Sequence, residues 1–286
     1  MTAEFAKYHA LGNDYIVIDP GSGFVPTPEN ARLVCDRHAG VGADGVLFGP
    51  LTGTEPFGLR TFNADGTECA KSGNGLRIFA RYLREHGHTT ADELTVLTGA
   101  GPAEVTIVDL DRDLVRADLG VATVDSTAVG ATGARRDLLR EPLTAAGAEL
   151  TVTGVYLGTP HCVAVLDGEE VTEERMRALG PVLRDHERFT DRINVSLVHV
   201  LDRTAVRIEI FERGAGYTLA SGASACAVAF ATHALGRTGS RVAVHMPGGR
   251  VDVEIGDTGA VVLTGPVEPV VVGTWAGPLR RLVLTV

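Results

Sequence analysis

No stretch of this 286-residue sequence concentrates lysine and arginine: 26 basic residues face 36 acidic ones, a formal net charge of 26 − 36 = −10. A surface that tracks a phosphate backbone is therefore not expected, and nucleic acid is not a partner class that this chain suits. An uncharged apolar run of membrane-spanning length is also missing, and the opening MTAEFAKYHALGND lacks the basic start and apolar core of a signal peptide. A cytosolic chain that meets no membrane is the expectation. Cysteine is scarce: Cys35, Cys69, Cys162 and Cys226 lie far apart, with no CxxC pair and no histidine at metal-ligand spacing. The nine histidines are equally scattered. A disulfide framework and a zinc site are thus disfavoured, no metal is expected, and reduced, mostly buried thiols are the ordinary reading. What remains is usage typical of a globular protein, 44% apolar and 22% charged. The length exceeds that of a single compact core, so one large domain or two lobes are the options, with a small molecule as partner.

Short β-branched or aromatic runs bounded by Gly, Pro, Asp and Thr predict strands at 15–19, 94–97, 105–110, 152–157, 162–166, 195–200, 205–211, 242–245, 251–255, 260–263 and 282–286. Apolar residues at i, i+3 and i+4 predict helices at 29–36, 74–86, 172–185 and 224–235. Many strands and few helices cannot make a doubly wound parallel sheet, which needs a helix between nearly every strand pair. The expected class is α+β, curved and mostly antiparallel sheet packed around a central helix in each lobe. The halves also echo each other. Leu11-Gly12-Asn13 leads into YIVID, and Asn63-Ala64-Asp65-Gly66 leads through Ser72-Gly73-Asn74-Gly75 into a helix. Likewise Leu157-Gly158-Thr159-Pro160-His161 leads into CVAVLD, and Gly214-Ala215-Gly216-Tyr217-Thr218 leads through Ser221-Gly222-Ala223-Ser224 into a helix. Two pseudo-symmetric lobes are expected, 1–125 and 126–270, with 271–286 as a terminal strand returning to the first.

A glycine-rich turn that opens a helix presents unpaired backbone N–H groups at the positive end of the helix dipole, which is an anion site. Two such ends facing one cleft would hold a carboxylate and would stabilise charge spreading into it when a proton leaves the adjacent carbon. Ser72 and Ser221 would then stand on opposite faces of that carbon. Each serine taken alone also reads as an ordinary N-cap. Neither AKSGN nor LASGA fits the G-x-S-x-G nucleophile pattern of a serine hydrolase.

The segments KYHALGNDYIVID, GVGADGVL, NADGTECAKSGNGLRIFARYL, LGTPHCV, RINVS and ERGAGYTLASGASACAVA, in that order from residue 7 to residue 229, resemble the successive signatures of diaminopimelate epimerases. The resemblance implies two α+β lobes with the active site between them and a reaction that uses no pyridoxal or other cofactor. In it, one cysteine takes the α-proton as thiolate while a second, as thiol, returns a proton to the other face. Asn13, Asn63, Asn194 and Arg213 match substrate-binding residues, with Arg213 as a carboxylate clamp. Gly73 and Asn74 match the first anion-binding helix end, and Gly222 the second, where Ala223 follows it as a further candidate for substrate binding. His161 and Glu212 match a polar pair flanking the α-amino group.

The departures fall on the chemistry. Ser72 and Ser221 stand where the resemblance places the two cysteines, and a hydroxyl is a far weaker acid than a thiol. Thr159 replaces a substrate-binding Asn, Tyr217 an acidic residue, and Ala223-Ser224 a Thr-Gly pair. Cys69, three residues before Ser72, is a candidate substitute base. The leading expectation is an isomerase moving a proton at the α-carbon of diaminopimelate or a related amino acid, with Ser72, Ser221, His161 and Glu212 at the chemistry. The alternatives are a dehydratase or double-bond isomerase that needs one acid/base, and a catalytically silent amino-acid-binding relative. A homodimer stays an open expectation, because nothing in the sequence reads out oligomeric state.

Overall fold

Two residues with positive φ, Leu11 at 56° and Gly12 at 88°, make the tight turn that folds the first two strands onto each other. In the computed structural model, which describes residues 4–166 and 171–284, the chain forms two compact units. One is Met1–Ala117 with Gly265–Val286, and the other is Asp118–Thr264. The sequence reading placed these divisions at 125/126 and 270/271. Six α-helices occur among the described residues: α1 (Pro28–Cys35), α2 (Gly73–Glu85), α3 (Ser126–Val129), α4 (Glu173–Arg184), α5 (Gly222–Ala234) and α6 (Gly277–Val283).

In the first unit Phe5–Ala10 pairs antiparallel with Asn13–Ile18, which pairs parallel with Gly45–Phe48. Gly45–Phe48 then pairs antiparallel with Arg60–Asn63, and Arg60–Asn63 antiparallel with Glu68–Cys69. Glu268–Gly273 closes the other edge against Phe5–Ala10, giving a six-stranded sheet. A parallel pair cannot be joined by a hairpin, and α1 occupies that crossover. A separate antiparallel meander, Glu93–Thr98, Gly101–Asp109 and Leu114–Val121, follows α2. The helix α2 packs against the first two strands and the first two of the meander. Its residues Leu76, Phe79, Ala80 and Leu83 are buried at helical spacing.

The second unit repeats this plan. Ala148–Tyr156 pairs antiparallel with Pro160–Val165, Pro160–Val165 parallel with Asn194–Asp202, Asn194–Asp202 antiparallel with Ala205–Glu212, and Ala205–Glu212 antiparallel with Gly216–Thr218. The crossover contains α4, the outer edge is Glu141–Ala145, and the helix after the short fifth strand is α5. Antiparallel, parallel, antiparallel, antiparallel, then a serine-capped helix: the pairing order is the same in both units. The echo seen in the sequence is thus an echo of topology.

The expected strand over 282–286 is corrected in its described part. Residues 277–283 form α6, Leu284 makes an isolated antiparallel bridge to Phe24, and Thr285 and Val286 lie outside the described residues. Pro278 fits the first turn of a helix, and Leu279 and Val283, at i and i+4, both pack on the core of the first unit. The strand that completes the six-stranded sheet is the preceding Glu268–Gly273. All four cysteines are free; Cys35, Cys162 and Cys226 are buried and Cys69 is half-buried. Burial pushes the thiols of Cys35 and Cys162 up to about 12. Among the described residues no helix is long and apolar enough to cross a membrane, and no cluster of three metal-binding side chains occurs.

Candidate active site

In the first unit, Ser72 is the N-cap of α2. Its backbone is extended (φ −127°, ψ 123°) and its Oγ accepts the Gly75 N–H at 3.0 Å. The N–H groups of Gly73 and Asn74, in the first turn, have no acceptor within the helix. Asn74 is buried, and its amide sits in a one-way chain of hydrogen bonds. The fully buried Arg77 donates from Nη2 to Asn74 Oδ1 at 2.6 Å, Asn74 Nδ2 donates to Asn13 Oδ1 at 2.9 Å, and Asn13 Nδ2 donates to Asp44 Oδ2 at 2.8 Å. A guanidinium can only donate and a carboxylate only accept, so the chain fixes which way both amides face. Each asparagine keeps a spare N–H, and this end of α2 therefore offers donors, the requirement for an anionic group.

Asp44 belongs to an ion-pair cluster that holds the turn carrying Asn13. Arg37 donates to both carboxylate oxygens of Asp14, at 3.1 and 2.8 Å, and to Asp44 at 2.9 Å, while Lys7 lies 2.8 Å from Asp14. Burial alone would raise the Asp14 carboxyl, but hydrogen bonds from Arg37 and Lys7 outweigh it and hold it at about 2 against an ordinary 3.8. Because the folded value is the lower one, the stabilisation is complete above the unfolded value and is lost as pH falls toward 2. The gap corresponds to about 2 kcal/mol. Asp14→Asn is expected to lower urea stability by about that amount at neutral pH, with the difference from wild type shrinking as the pH of the titration approaches 2. A pH-independent difference would refute the ionic origin.

Asn63 stands apart from this group. It is exposed, in a turn closed by Gly66 at φ 83°, and its Nδ2 donates to Thr67 Oγ1 at 2.9 Å. Cys69 donates its thiol to the Lys71 carbonyl at 3.2 Å and lines a cleft of about 260 Å³ with Arg60, Thr61 and Glu68, whose lining does not include Ser72.

In the second unit Ser221 caps α5 with Oγ accepting the Ser224 N–H at 3.3 Å, and Gly222 and Ala223 form the first turn. Asn194 is buried and committed to backbone: Nδ2 donates to the Pro160 carbonyl at 3.0 Å, and Oδ1 accepts the Arg213 N–H at 3.0 Å. Those bonds anchor the turn that carries Glu212 and Arg213, both half-buried. The Arg213 guanidinium has no hydrogen-bond or ion-pair partner among the described residues. Tyr217 turns elsewhere, donating to Glu209 Oε2 at 2.9 Å beneath the Arg177 guanidinium, 4.4 Å from its ring centroid.

His161 pairs in parallel register with Asn194, and its Nε2 lies 2.9 Å from Thr159 Oγ1. The ring is 1% exposed, yet Nδ1 has no partner. An orphaned buried polar atom costs about 1–3 kcal/mol, a cost that a ligand's or a water's hydrogen bond would relieve. Burial, and then the charge of Arg213, push this imidazole down from 6.5 to about 3. His161 is therefore neutral at physiological pH, and its Cε1 proton resonance is expected to stay fixed between about pH 5 and 8, the range over which ordinary histidines titrate. A midpoint near the usual value would show that the ring is solvated.

Two functional neighbours escape a reading of the sequence. Tyr15, whose hydroxyl lies 3.2 Å from Ser72 Oγ, looks like one more apolar-strand residue in YIVID, and Arg77 looks like the polar face of a helix. The only signal for Tyr15 is the repeat itself, which aligns it with His161.

The diaminopimelate epimerase family profile matches residues 5–124 and 153–270. A diaminopimelate epimerase 2 from Nostoc is 41% identical over 272 residues, covering 94% of this chain and 94% of that protein. A diaminopimelate epimerase from Synechococcus is 40% identical over 281 residues, 96% of this chain and 98% of that one. Among solved structures, a hydroxyproline epimerase from Agrobacterium vitis superposes with a TM-score of 0.67 at 15% identity, over 94% of this chain and 90% of that one. A PhzF-family phenazine biosynthesis protein from Enterococcus faecalis reaches 0.66 at 14% identity, over 96% and 100%. At such identities the solved structures speak for the α+β fold, whereas the profile and the sequence relatives extend through both units and both serine-capped helices: the chain belongs to the diaminopimelate epimerase family.

Proposed function

We propose that this protein is a cofactor-independent isomerase that moves a proton at the α-carbon of diaminopimelate or a related amino acid, with Ser72 and Ser221 in the two proton-transfer positions. The observation that carries this reading is the repeated unit ending, each time, in a serine-capped helix whose first-turn N–H groups are open. Those N–H groups, with the spare donors of Asn74 and Asn13, suit an α-carboxylate, and they stabilise the charge that enters it as the α-proton leaves. Arg213, without a side-chain partner among the described residues, suits a second carboxylate as a two-pronged donor. Neutral His161, and Glu212 on the turn that Asn194 anchors, suit the amino group, and Gly222 and Ala223 repeat the role of Gly73 and Asn74.

The test is proton exchange in D₂O followed by NMR, with diaminopimelate stereoisomers and a panel of other amino acids. Deuterium at the α-carbon together with a change of configuration is the expected result; no exchange with any member of the panel would sink the reading. One observation favours single-base chemistry on the same scaffold, a dehydratase or double-bond isomerase: the two serines are not equivalent, since among the described residues only Ser72 touches a second hydroxyl. A product lighter by one water, or one with a shifted double bond and unchanged mass, would identify that alternative.

A further inference from the structure

A serine hydroxyl is a far weaker acid than a thiol, which titrates near about 8.5, so the proton-transfer position on the first unit lacks a base of useful strength. The side chain within hydrogen-bond distance of its oxygen is a phenol. Tyr15 is 7% exposed and faces Gly45 across the parallel strand pair. A Cβ on Gly45 would lie 2.7 Å from the Tyr15 ring, so glycine is what admits the ring beside that strand. The ring's hydroxyl then meets Ser72 Oγ at 3.2 Å, while the same Oγ accepts from Gly75 N at 3.0 Å. With the Gly75 N–H on one lone pair, Ser72 keeps its own proton and a second lone pair for Tyr15 and a ligand.

Among its described residues the second unit offers no counterpart. His161 occupies the equivalent first rung of its parallel pair, but its Nε2 is bound to Thr159, and Ser221 Oγ accepts only from Ser224 N among the described residues.

From this contact, and resting on the α-carbon chemistry proposed above, we infer that Tyr15 is a relay residue that receives the proton through Ser72. In the forward step the α-proton passes to Ser72 Oγ as the Oγ–H proton passes to the Tyr15 phenolate. The C–H electron pair stays on the α-carbon and delocalises into its carboxylate, and Tyr15 ends as a phenol. The phenol proton exchanges with water, and the reverse step delivers it to carbon. A phenol, ordinarily titrating near about 10, is a much stronger acid than an alcohol, so its conjugate base is the one of the pair that can be populated to receive the proton. Since only one unit has such a relay, α-hydrogen exchange outpaces inversion.

The experiment uses the full chain with diaminopimelate in D₂O. Tyr15→Phe, which keeps the ring, is expected to lower exchange by about 100-fold or more, Ser72→Ala to do the same, and the pair together to add nothing, as residues acting as one unit behave. A fluorotyrosine at position 15, whose phenol is more acidic, should move the rising limb of the pH–rate profile to lower pH, which a purely structural role would not do. Exchange in Tyr15→Phe within about threefold of wild type, below the usual range of acid–base catalysis, or a limb that ignores the fluorine, overturns the relay. Tyrosine labelled with ¹³C at Cζ gives a readout that needs no turnover. The resonance missing in Tyr15→Phe must titrate with a midpoint that shifts in Ser72→Ala, and a midpoint blind to Ser72 overturns the coupling. Coupling without α-hydrogen exchange in wild type supports the pair and sinks the proposed function instead.

Discussion

Ser72→Cys and Ser221→Cys introduced together are expected to raise the rate of diaminopimelate epimerisation by about 10³-fold or more. The reasoning starts from the caps. Each serine oxygen already accepts a first-turn N–H, from Gly75 at 3.0 Å and from Ser224 at 3.3 Å. A sulfur in the same place inherits that donor and the helix dipole, both of which favour the thiolate. Alcohol and thiol differ by about seven pH units in acidity, and with a sensitivity of rate to basicity of about 0.5 the gain is on the order of 10³. Space is not limiting on the first side, where residue 75 is glycine and a Cβ there would lie 3.3 Å from the Ser72 oxygen. The single variants carry separate information. If Tyr15 serves the first unit, Ser221→Cys alone gives the larger gain, because it supplies the side that has no relay. A double variant that folds with unchanged circular dichroism and stays inert would move the cause of altered chemistry to Thr159 and Tyr217.

Many strands with β-branched runs were legible, as were four helices whose apolar residues recur at helical spacing, although burial follows that spacing only in α1 and α4 and is almost unbroken along α2 and α5. Leu114–Val121 and Glu141–Ala145 were not read despite their alternating burial. The strand Phe5–Ala10 was not, since its inward residues are Ala6, Tyr8 and Ala10 and a small side chain leaves a weak pattern. Glu268–Gly273 was hidden for the opposite reason: Val270, Val271 and Val272 are all about half exposed on an edge strand, so no alternation exists to be read. The serine caps were visible because capping is a local property of sequence. What sits beneath them was not. The Tyr15–Ser72 contact joins residues 57 apart through sheet register, and Thr159 meets His161 only because the chain turns before the strand. Tyr217, which sequence places in the altered turn, faces Glu209 and Arg177 for want of a local rule that would say otherwise.

Arg77 sets the largest expected stability effect. It is 0% exposed, the bulkiest of the fully buried side chains, and it spends its donors on Asn74 Oδ1 at 2.6 Å, the Pro266 carbonyl at 3.3 Å and the Gly73 carbonyl at 3.4 Å. Two effects oppose each other in Arg77→Ala. Removing a buried cation returns its desolvation cost, but it also strips the partners of two buried acceptors and leaves a cavity the length of the arginine stem. Orphaned acceptors cost about 1–3 kcal/mol each and a large-to-small change in a core about 2–5, so the loss wins, by about 3 kcal/mol. The chemical consequence follows from the direction of the hydrogen bonds. Without the guanidinium only Asp44, acting through Asn13, still fixes the order of the chain; Asn74 Oδ1 loses the donor that held it, and the Asn74 amide meets a carboxylate less well oriented. Weaker substrate binding, read as a raised KM with a smaller change in kcat, should accompany the lowered urea midpoint. Arg77→Lys keeps the charge but a single donor point, and is expected to recover stability in part while leaving KM raised. An alanine variant within about 1 kcal/mol of wild type, with KM unchanged, would show that the amide chain orients itself without the arginine.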